Sequence, residues 1–227
     1  MSRRAALVLA ATCTLAPTAS ASQTATNELA RIQGNVGYAI GAQNPQTLLG
    51  SIVLPRDAFA ITQPKAAARI IFSDSSEIRI GDRTRLRIGD VAPGSNERTI
   101  LLERGAVRFD IIHPAGPHTT YTFKTPTSQI AVRGTIGYAV TGPSGDQIYC
   151  IACQPDDVEV RAGDRSLTIV SGQSINVLTQ NGHVTGAAVV QNETINNPAV
   201  DQFLGGLSPF GKRAADGFDV TGSQSGS

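Results

Sequence analysis

The chain has 227 residues, near the upper range for one domain, and carries a formal charge of +1. Hydrophobic residues make up 41% and charged residues 16%, enough apolar material for a sizeable core and too little charge for a disordered chain. There is no Trp, Arg supplies 16 of the 19 basic residues, and the near-neutral total gives no case for general binding to nucleic acid or a membrane surface.

The first residues read as an export signal. Arg3 and Arg4 precede "AALVLAATCTLA", an apolar run of twelve that is too short to anchor in a bilayer. Pro17 and then Ala19-Ser20-Ala21 supply a small-x-small cleavage site, so a cut after Ala21 is expected. Twin-arginine export through "SRRAAL" and lipid attachment at Cys13 fit less well, because the residues flanking each motif are wrong. Removal of residues 1–21 takes away two Arg and leaves 17 basic and 18 acidic residues, a charge of −1. No later stretch approaches the ~18 apolar residues of a membrane span.

Residues 22–28 read as a polar arm. From about 29 to 190 the sequence is short strands with turn punctuation. "NVGYAI" alternates through Val36, Tyr38 and Ile40. "ARIIFSDSSEIRIGDRTRLRI" reads as a strand, a polar turn and a longer strand, and "TILLERGAVRFDII" as two strands about a turn at Glu103–Ala106. Arg83, Arg85 and Arg87 alternate with Thr84, Leu86 and Ile88, so they are expected on one outward face, with Arg79 as an extension. That stripe reads either as a partner contact or as a solvated face whose stems cover apolar surface.

"YTFKT" leads into "QIAVRGTIGYAVTGPSGDQIYC", which places Gly134 and Gly137 inside the best strand pattern of the chain and a turn at Pro143–Asp146. "DVEVRAGDRSLTIV" pairs across Ala162–Arg165, and Asn181-Gly182 is the strongest hairpin signal. Ile130, Val132, Val140, Phe109, Leu101 and Ile71 are the expected core. Short strands at this spacing imply an all-β fold: a two-layer sandwich or short solenoid-like stack of antiparallel strands, jelly-roll-like. After Val190 the chain turns Gly-, Asn- and Ser-rich, and residues 191–227 read as a flexible tail in which "AVDQFLGGL" is a docking segment or partner-binding peptide.

Catalytic machinery is thin. Cys150 and Cys153 form "CIAC" at the end of a strand, where a structural disulfide suits an oxidising compartment. A redox motif would want a helix N-terminus, a metal site would want further ligands, and buried reduced thiols are the remaining alternative. His113, His118 and His183 stand beside turns, and Asp156-Asp157 would point to opposite faces of a strand. No catalytic, cofactor-binding or metal-binding residue is assigned, and the expectation is a protein without enzymatic activity or cofactor.

The ordered set of strands resembles the FecR domain family from about Ile32 to Val177. The resemblance is carried by "ARIIFSDSSEIRIGDRTRLRI", "LLERGAVRFDI", "FKTPTSQIAVRGTIGYAV" and "DVEVRAGDRSLTIVSGQSINV"; Ser75 stands where the family commonly has Gly, and Gly137 where it has an aromatic. It implies an exported β domain that contacts a protein partner in the periplasm or at the cell surface. The best-known members regulate sigma factors through a cytoplasmic segment and one membrane span, and here a cleavable signal occupies that place. The expectation is a signal peptide (1–21), a FecR-like domain (22–190) and a tail (191–227). A periplasmic signal-transduction component acting with a separate membrane anti-sigma partner, or a surface polysaccharide binder, are the alternatives.

Overall fold

The computed structural model describes residues 27–89, 97–112 and 119–191. They form seventeen strands: β1 (Asn27–Gln33), β2 (Val36–Ile40), β3 (Gln46–Thr47), β4 (Ser51–Leu54), β5 (Ala58–Thr62), β6 (Ala67–Phe72), β7 (Glu77–Ile80), β8 (Arg85–Ile88), β9 (Glu97–Asp110), β10 (Thr120–Lys124), β11 (Gln129–Val132), β12 (Ile136–Gly142), β13 (Gly145–Ala152), β14 (Val158–Ala162), β15 (Arg165–Ile169), β16 (Gln173–Gln180) and β17 (His183–Gln191). No helix among the described residues is long and apolar enough to cross a membrane. The expected signal and nearly all of the expected tail lie outside the described residues.

The strands lie in two layers joined by β9. Sheet I runs β4-β1-β6-β7-β9-β12-β13-β16-β17. Sheet II runs β3-β2-β5-β8-β9-β10-β11-β14-β15. Pairing is antiparallel except between β9 and β10, which run parallel. The chain shuttles between the layers and adds strands towards one end of both, so the all-β two-layer stack expected from the sequence is the observed fold.

Alternation builds the core. Ile70 and Phe72 of β6, Ile78 and Ile80 of β7, and Leu86 and Ile88 of β8 all point between the layers and are buried. Phe109 of sheet I meets Phe123 of sheet II with ring centroids 5.2 Å apart. Phe72 meets Tyr121 edge-on, also at 5.2 Å.

Three sequence expectations change here. First, residues 97–110 are one strand, not two. β9 bends at Gly105 (φ 96), pairing through Ile100–Arg104 with β8 and through Gly105–Asp110 with β12. The bend shifts the inward positions from Ile100 and Leu102 to Val107 and Phe109. Second, the "longer strand" after the Ser75 turn is broken at Gly81–Thr84, where the chain crosses from sheet I to sheet II. Third, Leu101 and Ile71 are half-buried on outer faces while their neighbours Ile100 and Ile70 are in the core. In a continuous apolar run, alternation cannot say which parity faces inward.

Buried threonines hold the crossings. Thr62 Oγ1 donates to Gly81 O at 2.6 Å and accepts the Thr84 N–H at 2.9 Å. Thr84 Oγ1 accepts the Ala106 N–H at 3.0 Å. Thr135 Oγ1 donates to Ala152 O at 2.5 Å. Each hydroxyl partners a backbone group that leaves its ladder where the chain changes layers.

Candidate interaction surface

The outer face of sheet II carries the charge that the sequence singles out. Cross-strand register places Phe59, Arg87, Leu101, Lys124, Gln129 and Arg161 in one row across six strands. Arg85 lies on the same face, opposite Arg104. The Arg85 guanidinium sits 4.1 Å over the Phe59 ring and that of Arg87 at 5.7 Å. Arg85 pairs with Glu103 and Arg87 with Asp57, each at 2.6 Å. These side chains are about one third to one half exposed, so each pair contributes at most about 1 kcal/mol. Their effect is to hold two guanidinium groups beside one aromatic ring on the outer face.

The expected stripe is shorter than its sequence pattern. Arg85 and Arg87 share a face, but Arg83 lies in the turn before β8, with φ 49, and its exposed side chain pairs with Asp82 at 2.9 Å. Arg79 is on the outer face of sheet I, beside Glu77. The break at Gly81–Thr84 separates them.

Further along the same face, Glu97, Thr120, Gln129, Arg133, Glu159 and Arg161 line a shallow groove of about 180 Å³. Ser166 donates to Glu159 at 2.7 Å and Arg161 at 2.8 Å, and these two partners hold the Glu159 carboxyl below the usual carboxylate range. The groove is therefore a charged, hydrogen-bonding surface with few apolar atoms.

Cys150 and Cys153 are disulfide-bonded, with Cα atoms 6.1 Å apart. Three residues of straight strand span roughly 10 Å, too far for a disulfide, so the sequence predicts a turn at Ile151-Ala152; the structure closes the distance differently. Cys150 pairs with Gly137 while Ala152 pairs with Ile136, so the chain stays in the strand and Ile151 is the extra residue of a β-bulge. Both cysteines are buried and both belong to the main core. The bond staples a kink; it does not present a reactive thiol.

The sequence also hid a polar clamp. Asp146 is 1% exposed, and its Oδ2 accepts from Thr125 at 2.6 Å, Thr127 at 2.7 Å and Ser128 at 2.5 Å. The "TPTS" turn before β11 is thus fixed to the start of β13. Only the Ser/Thr density of that turn hinted at it. His183 is exposed at the start of β17, and Asp156-Asp157 lie in a turn, where Asp157 accepts the Gln154 N–H at 2.8 Å. His113 and His118 lie outside the described residues. Among the described residues no group of three or more His, Cys, Asp or Glu is placed to hold a metal.

A family model described as "FecR protein" matches residues 59–185. Two crystal structures of a candidate anti-sigma factor from Parabacteroides distasonis ATCC 8503, at 1.65 and 2.50 Å resolution, share the fold at a TM-score of 0.50 and 14% identity, over 59% of this chain and 59% of theirs. The chain thus spans about three fifths of the length of the solved structures it matches. No curated protein matches it.

Proposed function

The chain belongs to the FecR protein family, and from that membership we propose that it is an exported, non-catalytic protein–protein interaction module of the cell envelope. The observation that carries the reading is the outer face of sheet II. Arg85 and Arg87 are pre-arranged over Phe59 and continue into a row with Lys124 and Arg161. Pre-arranged guanidinium groups on a rigid strand lose little freedom when an acidic partner surface arrives and exchanges for their present carboxylate partners. Export rests on Arg3-Arg4, the apolar run and the Ala19–Ala21 site. The described strands are then a periplasmic or secreted domain with its partner in the same compartment.

A second reading is favoured by the fold shared with a candidate anti-sigma factor. The chain would be the envelope component of a signalling route, working with a separate membrane protein that carries the anti-sigma part.

The test joins both steps. Native protein from the envelope fraction is sequenced from its N-terminus, where Ser22 is expected. It is then cross-linked to its partner in cells. Arg85→Gln with Arg87→Gln should lose the cross-link with the fold intact, the unfolding temperature falling by no more than two surface ion pairs and their ring contacts account for. An uncleaved N-terminus overturns export, and a cross-link indifferent to the double variant overturns the assigned surface. A membrane-spanning partner with a cytoplasmic segment selects the signalling reading.

A further inference from the structure

The two sheets end in four edge strands, and these edges are not guarded alike. β3 has two residues, β4 four and β15 five, and β15 begins with Arg165. β17, at the free edge of sheet I, has nine: "HVTGAAVVQ", without proline and without Asp, Glu, Lys or Arg. Among the described strands it pairs with β16 alone. A long uncharged edge is a template for another strand, which short strands, charges and prolines otherwise prevent.

Register shows which backbone groups that edge offers. The Thr179 N–H donates to Ser144 O, on the β13 side, at 3.1 Å. Backbone groups alternate sides along a strand, so Ile175 and Val177 also turn theirs to β13, while Ser174 and Asn176 turn theirs to β17. Opposite them, Val190 and Ala188 take the ladder bonds to β16. Ala187, Val189 and Gln191 therefore turn their N–H and C=O groups to the open edge. One of these groups is already held. Arg165 reaches across from sheet II, and its Nη1 donates to Ala187 O at 2.8 Å.

We propose that the free edge of β17 pairs with β17 of a second copy of this chain, and that Arg165 restrains this pairing. Antiparallel pairing about a two-fold axis at Val189 sets Val189 opposite its counterpart and Ala187 opposite Gln191 of the second copy. Each of the three residues then exchanges its outward N–H and C=O across the pair. Val189 and Val190, 41% and 38% exposed, lie at the centre of the contact. The outermost bonds need the Ala187 carbonyl, and the Arg165 guanidinium stands where the incoming strand would run. A second copy fits this edge better than a foreign peptide. Gly186, Ala187 and Ala188 are too small to form the side-chain pockets from which strand addition draws its specificity. The edge carries no charge to oppose its own pairing, and an edge paired with itself closes into a dimer. This surface is separate from the arginine face of sheet II, and the inference does not rest on the proposed function.

Sedimentation of the full chain over a concentration series tests it, with amide exchange locating the contact. Arg165→Ala should dimerise at concentrations on the order of tenfold below the wild-type chain, because it releases one carbonyl in each copy for pairing. In the dimer the Val189 and Gln191 amides should become protected, while those of Ala188 and Val190, bonded to β16, are protected in monomer and dimer alike. Val189→Pro removes an N–H that β16 does not use, and in the Arg165→Ala background it should abolish the dimer. Where loss of Ala188 protection shows that the proline disturbs β17 itself, Val189→Lys decides, because it sets two like charges opposite each other and should also abolish the dimer. Arg165→Ala that sediments as the wild-type chain does overturns the proposal. So does a dimer that survives Val189→Lys, or one in which the Val189 and Gln191 amides exchange as fast as in the monomer, which marks another surface as the contact.

Discussion

Gly134 and Gly137 stand three positions apart for unrelated reasons. Gly134 has φ 57 at the corner where the chain leaves sheet II for sheet I, a conformation other residues adopt at a cost. Gly137 makes room. A Cβ there would lie 2.6 Å from the Phe109 ring and would overlap the Tyr149 carbonyl. Gly137→Ala should therefore lower unfolding free energy by about 1–3 kcal/mol, as overpacking does, measured by chemical denaturation. In the background of Phe109→Leu, which removes the ring, the same change should cost less. Strictly additive losses would show that Phe109 is not the obstacle.

At the scale of elements, β13 shows how a short disulfide fits a strand. The bulge at Ile151 shortens the path between Cys150 and Cys153 to a bondable 6.1 Å without ending the strand. The closed loop is very short, so the constraint on the unfolded chain is below the ~3 kcal/mol of a 15-residue loop. Replacing both by Ala, which avoids placing a hydroxyl in the core, should cost less than that, and the sheet I register should survive. The readouts are the denaturation midpoint and amide exchange of β12 and β13. Loss of the β12–β13 protection pattern would mean that the bond creates the bulge and does not merely staple it. β9 carries a related lesson. A strand of fourteen residues serves two sheets because Gly105 lets its inward parity change midway.

At the scale of the whole molecule, Tyr121 ties the layers together. It stands in sheet II, packs edge-on against Phe72 of sheet I, and donates to the Asp74 carboxylate at 2.8 and 2.9 Å. Burial, with the Asp74 charge adding to it, pushes its phenol far above the ordinary 10.0. A raised folded value means that the neutral form is the stable one. Its contribution is fully present below pH 10 and is lost as the unfolded chain begins to ionise above it. Unfolding free energy should fall above pH 10 by up to about 1.4 kcal/mol per pH unit for this group. Tyr121→Phe should show a shallower decline in denaturation curves taken from pH 9 to 11. An unchanged slope would show that the Tyr121 phenol is ionised as readily in the folded chain as in the unfolded one. By itself the sequence determined the all-β class, the Asn181-Gly182 and Ala162–Arg165 hairpins, and the FecR-type order of strands, because period-two alternation and turn residues are local signals. It did not determine which parity of "TILLER" faces inward, where Arg79 parts from Arg85, the Asp146 clamp across about twenty residues, or the second apolar cluster around Tyr138. Those depend on which layer a segment joins, and only long-range pairing across the stack decides that.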